Sequence, residues 1–452
     1  MAARRRLAAA GGLAIAGALI AGIYMYGGGS SSATAGRPPI HFGTPLETGP
    51  ATITAERERL QAYINGTPAD VPAAARLAEL SLREARVTGN AGLVVTAELA
   101  LRRALATRSS YEGERVLAAV LLSQHRFAEA SRIATRLNAL EPKDAWLRGV
   151  LGDAALEQGD YQQAFDQFDA MTGLRPDAAG YARVSYAREL QGDLRGALQA
   201  MVMALDSTSP HDREAQAWHA VQLAALHRQL GHRSQARLEV ERALHTFQNY
   251  PPALAERGAI LAGIGDLDGA AASLTAALDI APTAGWFAQL GDVEAARGRE
   301  SEAERAYARA DAAWTTETPE PREHALFLAM HARDLPRALA LAQQATRGSR
   351  DILSAEAHAW AAYLSGDLDT ARLRIEEALS TGSRLRRLRY HAAAIHARLG
   401  NRDEAREHLR LALASPPAAD LVEASAVSAL ARELGLAGTA PPGDAVARVA
   451  TR

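Results

Sequence analysis

Histidine and lysine are the residue types in this chain that bear most directly on catalysis and metal binding. The 452 residues include 13 histidines and one lysine, Lys143, which excludes a P-loop and argues against a Schiff-base enzyme. Several histidines fall in predicted helices: His219, His227, His324, His331, His358, His391 and His396. None of these is four residues from another, the spacing of a helical zinc pair. The sequence therefore predicts no catalytic residue and no metal site.

A glycine-rich string at residues 263–269 superficially matches a cofactor-binding loop. A dinucleotide-binding loop follows a β-strand, and no strand is predicted before this string. The chain also lacks the HExxH, GxSxG and EF-hand patterns. We therefore interpret residues 263–269 as a turn between helices and expect no cofactor, no small-molecule substrate and no enzymatic activity.

A ladder of alanines is the strongest organising signal in the sequence. Nine of them recur at intervals of 33 to 39 residues: Ala130, Ala164, Ala197, Ala236, Ala270, Ala303, Ala338, Ala371 and Ala405. A fixed period in this range indicates stacked structural repeats. Each repeat contacts mainly its neighbours, so such a fold offers a long surface rather than one enclosed pocket.

The residues around each alanine form a larger recurring pattern, which is clearest at residues 146–176. The pattern there is Trp146, Leu151, Gly152, Gly159, Ala164, Phe168 and Pro176. This order resembles the tetratricopeptide repeat, a helix-turn-helix unit with the same spacing of small, aromatic and proline residues. Units around Ala270, Ala303 and Ala405 repeat the pattern, although the closing proline is absent after Ala345 and Leu379.

The resemblance implies an all-α fold, namely a right-handed α-solenoid of about ten stacked repeats. It predicts an N-terminal helix and a degenerate repeat over residues 55–110, nine repeats over 111–417, a capping helix over 418–436 and a disordered tail over 437–452. Between paired helices we expect Gly-Asp turns, in which glycine ends one helix and aspartate caps the next. These turns are Gly159-Asp160, Gly192-Asp193, Gly265-Asp266 and Gly366-Asp367.

The resemblance also implies a concave groove lined by fixed positions of each first helix. In the N-terminal and central repeats these positions give Trp146, Tyr186, Trp218 and Arg228, and the unit around Ala270 contributes only Ala255, Ala259 and Ala262. The C-terminal third gives Phe327, Met330, Glu356, Trp360, Tyr363, Arg387 and Tyr390. Aromatic and arginine side chains are favoured interface anchors, so we predict a partner-binding groove there, in which Arg387 pairs with an acid. The alternative is that these rings only pack the helices together.

Charge narrows the class of partner. The net charge is −2, so the chain lacks the basic excess that nucleic-acid binding usually requires. The concentrated basic patch in the repeats spans residues 384–389, and either an acidic ligand or an ordinary solvated helix explains it. A protein or peptide is the expected partner, and nucleic acid is not.

The N-terminus carries a second signal, which concerns location. Three arginines in residues 1–6 precede an apolar run at residues 7–26, whose 20 residues suffice to span a bilayer as a helix. The charge order predicts a cytoplasmic N-terminus and repeats on the extracytoplasmic side. Residues 27–54 are rich in Gly, Ser and Pro, and we interpret them as a flexible linker. The alternative is a signal peptide cleaved after Ala35, which follows a small-residue site.

Two functions remain open from the sequence. The first is a non-enzymatic, membrane-anchored scaffold that assembles envelope or secretion components. The second is a cleaved periplasmic or secreted adaptor, or an assembly chaperone, for export or surface-polymer machinery.

Overall fold

The structure, a computed structural model, describes residues 50–317, 320–414 and 421–436. In these residues it has helices and no strand. The helices of the N-terminal half are α1 (Pro50–Gly66), α2 (Val71–Thr88), α3 (Gly92–Thr107), α4 (Tyr111–Ser123), α5 (Phe127–Leu140), α6 (Ala145–Glu157), α7 (Tyr161–Leu174), α8 (Ala178–Leu190), α9 (Leu194–Asp206), α10 (Arg213–Gln229) and α11 (Arg233–Thr246). The helices of the C-terminal half are α12 (Pro251–Gly263), α13 (Leu267–Ile280), α14 (Ala284–Ala296), α15 (Glu300–Ala312), α16 (Pro321–Met330), α17 (Leu335–Gly348), α18 (Ile352–Leu364), α19 (Leu368–Ala378), α20 (Arg386–Arg398), α21 (Arg402–Ala414) and α22 (Ala424–Glu433).

These helices form an all-α solenoid of consecutive pairs, which confirms the predicted fold class. The pairs run from α2–α3 to α20–α21, α1 precedes them, α22 follows them, and a π-helical turn at Ala313–Glu317 extends α15. The predicted N-terminal span, most of the linker and the C-terminal tail lie outside the described residues. Within the residues that the structure describes, no helix combines the length and apolarity needed to cross a bilayer.

Small residues let the two helices of a pair approach closely. All nine ladder alanines are buried. A Cβ atom built on Gly152 would overlap the ring of Phe168, and one built on Gly291 would overlap the ring of Tyr307. Because the ring of the second helix occupies the space beside the glycine of the first, both residue types of the repeat pattern are needed for one contact.

The predicted Gly-Asp turns are confirmed. Gly159 and Gly265 have φ angles of 77° and 84°, a left-handed conformation that glycine adopts without strain. The side chains of Asp160 and Asp266 then accept hydrogen bonds from the backbone N–H of Gln163 and Gly269. The glycine-rich string therefore ends α12 and begins α13, as interpreted from the sequence.

One turn of the superhelix contains six helix pairs, and the next turn contacts it. The end of each first helix from α2 to α8 meets the loop before the first helix six pairs later, at α14, α16, α18 and α20. Thus the Glu157 carbonyl at the end of α6 accepts a hydrogen bond from the Arg350 backbone N–H before α18, at 3.1 Å. Thr381 Oγ1 similarly donates to the Leu190 carbonyl, at 2.7 Å. Successive turns of the superhelix therefore stack directly on one another.

The 39-residue interval between Ala197 and Ala236 contributes to the contacts between turns of the superhelix. Loop residue Asp212 lies 3.3 Å from Arg83 of α2, and Glu214 of α10 lies 2.5 Å from Arg86. Glu214 also accepts a hydrogen bond from the Tyr250 hydroxyl, at 2.9 Å. The additional residues of this repeat therefore bring two carboxylates to the N-terminal repeat.

Candidate groove on the inner surface

A pocket lies across three consecutive first helices, α10, α12 and α14, and is bordered by the end of α2. Its free volume is about 60 Å³, which is space for one side chain or a few water molecules. The lining residues are Arg86, Gly89, Trp218, Val221, Gln222, Ala225, Tyr250, Pro252, Ala255, Glu256, Ala259, Ala281, Thr283, Trp286 and Gln289. We call this site the central pocket.

Small side chains create the space in the central pocket. Ala225 and Ala259 are half-buried on its floor, and rings of Trp218, Tyr250 and Trp286 stand around them. At the same position other first helices carry larger groups such as Tyr186 and Trp360, although α4 and α20 also have alanine there, so the space depends on the residue type and on the neighbouring helices. The arrangement can accept one apolar side chain.

The polar groups of the central pocket are mostly uncharged. Trp218 Nε1 and Thr283 Oγ1 are buried and have no hydrogen-bond partner within the described residues. Gln222 and Gln289 add side-chain amides. These groups can donate to, or accept from, the amides of a bound backbone.

The two charged residues that line the central pocket already have partners. Arg86 lies against Glu214, and Arg228 of α10 makes a two-point contact with Glu256, at 2.6 and 3.1 Å. The pocket therefore presents no unbalanced charge to a ligand.

The predicted groove residues of the N-terminal and central repeats have separate environments. Trp218 lines the central pocket, and Arg228 borders it through Glu256. Trp146 is buried under the Arg115 guanidinium, 4.6 Å from the ring centroid, and Tyr186 is buried in the core. The structure brings Trp218 and Arg228 together with Ala255 and Ala259. Trp146 and Tyr186 lie in other repeats.

The predicted charged residues of the C-terminal third form a buried network. Arg387 does pair with an acid, but the acid is Glu356 of the same chain, at 2.9 and 2.8 Å. His391 lies between two carboxylates: its Nδ1 is 3.0 Å from Glu356, and its Nε2 is 2.7 Å from Glu423. The network thus joins α18, α20 and the segment before α22.

Burial and neighbouring charges perturb the pKa values in this network. Burial alone would raise the pKa of Glu356, but the Arg387 guanidinium outweighs it and lowers the pKa to about 2. Burial alone would lower the pKa of His391, but Glu423 and Glu356 raise it to about 9. His391 is therefore held as a cation at neutral pH.

The predicted aromatic residues of the C-terminal third pack on one another. Trp360 stacks on His391 with ring centroids 3.9 Å apart and on Tyr363 at 4.9 Å, and Tyr390 lies 5.8 Å from Trp360. Phe327 packs 5.1 Å from Trp314, and Met330 is half-buried beside the same cluster. Their part in partner binding stays a prediction, since each ring already has contacts inside the solenoid.

The basic patch at residues 384–389 is largely engaged within the chain. Arg386 donates to the Ala412 carbonyl, and Arg389 donates to the Ser383 and Gly382 carbonyls. Together with the pairing of Arg387, this leaves Arg384 as the exposed arginine of the patch.

A second buried charge cluster lies where two turns of the superhelix meet. Arg322, in the first turn of α16, lies 3.2 Å from Asp351 and 3.9 Å from Glu157. Burial and the nearby Asp351 carboxylate raise the pKa of Glu157 to about 8. Two acids thus share one guanidinium, and the Glu157 carboxyl retains its proton near neutral pH.

Some lining residues could not be found from the repeat pattern. Gly89, Tyr250 and Trp286 border the central pocket, but the groove positions used for the prediction do not include them. Tyr250 is followed by two prolines that begin α12, and this turn is a local signal for its place beside the groove. Arg86 reaches the pocket only because successive turns of the superhelix stack on one another. In the described part of the chain, no group of three or more histidine and acidic side chains could hold a metal ion.

The fold and the inner surface define a helical repeat scaffold with a groove. Residues 121–185, from the end of α4 into α8, match the tetratricopeptide repeat family. A curated relative is cellulose synthase operon protein C of Xanthomonas axonopodis pv. citri (strain 306), 28% identical over 373 residues, which are 77% of this chain and 22% of the relative. The chain thus spans about a fifth of that relative's length.

Two solved structures are similar at the level of general architecture. The human IFIT1 dimer with PPP-AAAA aligns with 80% of this chain and 87% of its own, at 11% identity and a TM-score of 0.45. PilW, described as a widely conserved type IV pilus biogenesis factor, aligns with 46% of this chain and 95% of its own, at 15% identity and a TM-score of 0.39.

Proposed function

We propose that this protein is a non-enzymatic scaffold that binds a protein partner in the groove formed by α10, α12 and α14. The observation that carries the proposal is the central pocket, which is apolar, open and placed on consecutive first helices. An apolar pocket with a few polar groups is the usual form of a specific binding site. The partner's contact is an extended segment or a helix that inserts one apolar side chain.

The proposed setting is the extracytoplasmic side of a membrane, where the solenoid assists the assembly or export of a surface polymer. The charge order around residues 7–26 supports this location. The name of the curated relative, cellulose synthase operon protein C, supports the surface-polymer setting. In this proposal the apolar N-terminal run is an uncleaved anchor that keeps the scaffold beside the machinery.

The alternative is a periplasmic or secreted adaptor released by cleavage after Ala35. The small residues at 33–35 favour it. The intact mass of the mature chain separates the two forms, because loss of residues 1–35 contradicts the permanent anchor.

Photo-crosslinking in the native cell tests the binding site. A crosslinking amino acid replaces Gln289, which lines the central pocket, Tyr363 in the C-terminal cluster or exposed Leu238 on α11 as a control. We expect a defined partner to be captured from Gln289 and not from Leu238. The capture should disappear when Ala225→Leu narrows the pocket. Equal capture from Gln289 and Leu238, or capture that Ala225→Leu leaves unchanged, would contradict the groove assignment.

The probe at Tyr363 tests the C-terminal cluster separately. Capture of the same partner from this position extends the groove to α18, and its absence restricts binding to the central pocket.

A further inference from the structure

The start of α1 lies beside the end of α2, the helix that borders the central pocket. Arg57 of α1 pairs with Glu84 of α2 at 2.6 Å, and Glu56 pairs with Arg76 at 3.1 Å. Since α1 and α2 run side by side in opposite directions, the first turn of α1 lies beside the last turns of α2. The end of α2 contributes Arg86 and Gly89 to the pocket. The chain that precedes Pro50 therefore emerges at the end of α2 that borders the pocket.

The chain before α1 has the composition that the central pocket can accept. Residues 38–46 contain no acidic or basic residue apart from His41, and they include Ile40, Phe42 and Leu46. Phe42 is the bulkiest of these side chains. Three prolines in this segment restrict its backbone, which lowers the entropy lost on docking. We call residues 38–46 the N-terminal segment.

The N-terminal segment is long enough to reach the pocket. Phe42 comes eight positions before Pro50, and an extended chain of eight residue steps spans about 26 Å. Arg57 pairs with Glu84, so α1 and the pocket lie on different faces of α2 and the chain must cross the width of that helix, about 10 Å. Reach therefore does not limit the choice of occupant.

The chemistry of the pocket selects an uncharged apolar occupant. Its charged lining residues, Arg86 and Glu256, are both paired, and Trp218 and Thr283 offer unpaired polar atoms that suit a backbone. An acidic or basic segment would lose hydration here and gain no ion pair. The N-terminal segment meets this requirement, whereas the chain after residue 46 begins with Glu47.

We propose that the N-terminal segment docks in the central pocket of its own chain, with Phe42 inserted over Ala225 and Ala259. The docked segment occupies the site that a partner needs, so a partner must displace it. Displacement also frees the residues between the solenoid and the apolar N-terminal run. This regulatory consequence rests on the proposed function, whereas the docking itself does not.

The absence of cysteine from the sequence permits a direct test on the full chain. Thr44→Cys is combined with Gln289→Cys at the pocket, or with Leu238→Cys on the outer helix of a neighbouring repeat as the control. Disulfide formation under mild oxidation is followed by mass spectrometry. Docking raises the effective concentration of one cysteine of the pocket pair near the other. We therefore expect the pocket disulfide to form at least about tenfold faster than the control disulfide.

Two variants show whether Phe42 and the pocket cause the difference. Phe42→Ser and Ala259→Trp, each placed in the Thr44→Cys, Gln289→Cys chain, should reduce its rate to that of the control pair. Phe42→Ser changes no residue of the solenoid, so its result does not depend on folding of a pocket variant. Equal rates for the two pairs, or a fast rate that survives Phe42→Ser, would overturn the proposal. A disulfide that links two chains would assign the pocket to a second copy and would also overturn it.

The test separates this inference from the proposed function. If the disulfide pairs form at equal rates but a partner is still captured from Gln289, self-docking is wrong and the scaffold function stands. If the pocket pair forms rapidly but no partner is captured, the pocket serves the chain itself and the scaffold function is wrong.

Discussion

Two first helices, α12 and α18, present different side chains at the same positions of the repeat. The residues 15, 11 and 8 places before the ladder alanine are Ala255, Ala259 and Ala262 in α12, and Glu356, Trp360 and Tyr363 in α18. In α12 two of these positions line the central pocket. In α18 they form a stacked, ion-paired cluster with α20.

The difference shows that register and residue type decide separate properties. The position along the helix determines that a side chain points into the superhelix. The size and charge of the side chain determine whether the space remains available or is filled by the protein itself. Aromatic and arginine residues at groove positions are therefore ambiguous from sequence, because they also satisfy one another. A small residue at the same position leaves space only where neighbouring side chains do not fill it: Ala259 lines the central pocket, whereas Ala394 of α20 is buried in the C-terminal cluster.

Truncation of Trp360 should give the largest effect on this comparison. Trp360→Ala removes a buried ring that contacts His391, Tyr363 and Tyr390, so we expect a loss of about 3–5 kcal/mol in the free energy of unfolding. Urea denaturation followed by circular dichroism measures it. The matched control is Leu238→Ala on the exposed face of α11, which should change the value by less than about 0.5 kcal/mol. A small loss for Trp360→Ala would mean that the ring is available for a partner.

Local rules were sufficient to predict the helix pairs. The glycine and aspartate of each turn act within a few residues, and the alanine ladder reports a contact inside one repeat. The sequence therefore predicts the positions of Ala255, Ala259 and Trp218 on the inner surface. Their assembly into one pocket also depends on Gly89 and Arg86, which are more than 120 residues away in the chain.

The Glu356 pair should give the next largest effect. Glu356→Gln retains the shape of the side chain but leaves Arg387 and His391 facing an uncharged amide, so we expect a loss of about 2 kcal/mol. The exposed pair between Arg372 and Glu376 supplies the control, and Glu376→Gln should cost at most about 0.5 kcal/mol. Equal losses for the two variants would show that burial of the Glu356 network contributes nothing.

The pH dependence of stability tests the charge on His391. Its pKa in the folded protein is raised to about 9 from an ordinary value of 6.5. The stabilisation is fully present below pH 6.5 and is lost as the pH rises through 9, because the folded state holds the proton longer than the unfolded chain. We expect Tm to fall more steeply between pH 6.5 and 9.5 in the native protein than in His391→Gln. The raised pKa of Glu157 acts in the same direction in both proteins, so the difference reports His391.

Parallel pH profiles for the native protein and His391→Gln would contradict that assignment. They would mean that His391 is neutral in the folded state and that Glu356 and Glu423 are balanced by Arg387 alone.

Contacts between turns of the superhelix are the part that sequence could not predict. The hydrogen bonds of Glu157 with residues 349 and 350, and of Leu190 with Thr381, depend on the number of pairs in one turn. That number results from small rotations added over six repeats, and no single residue encodes it. The same accumulation brings Arg83 and Arg86 of α2 to Asp212 and Glu214 at the start of α10.

Enlargement of an alanine in the central pocket should give the smallest of the expected effects, and the same change in α18 provides the comparison. Ala259→Leu places its extra carbon atoms in free volume, so we expect a change of less than about 1 kcal/mol in the free energy of unfolding. Ala359→Leu places the same atoms in the fully buried interior of α18 and should cost about 1–3 kcal/mol through overpacking. The two variants differ from the native protein by the same chemical change, so denaturation curves compare the two sites directly. If Ala259→Leu destabilises as much as Ala359→Leu, α12 is packed as tightly as α18 and the central pocket has no space for a ligand.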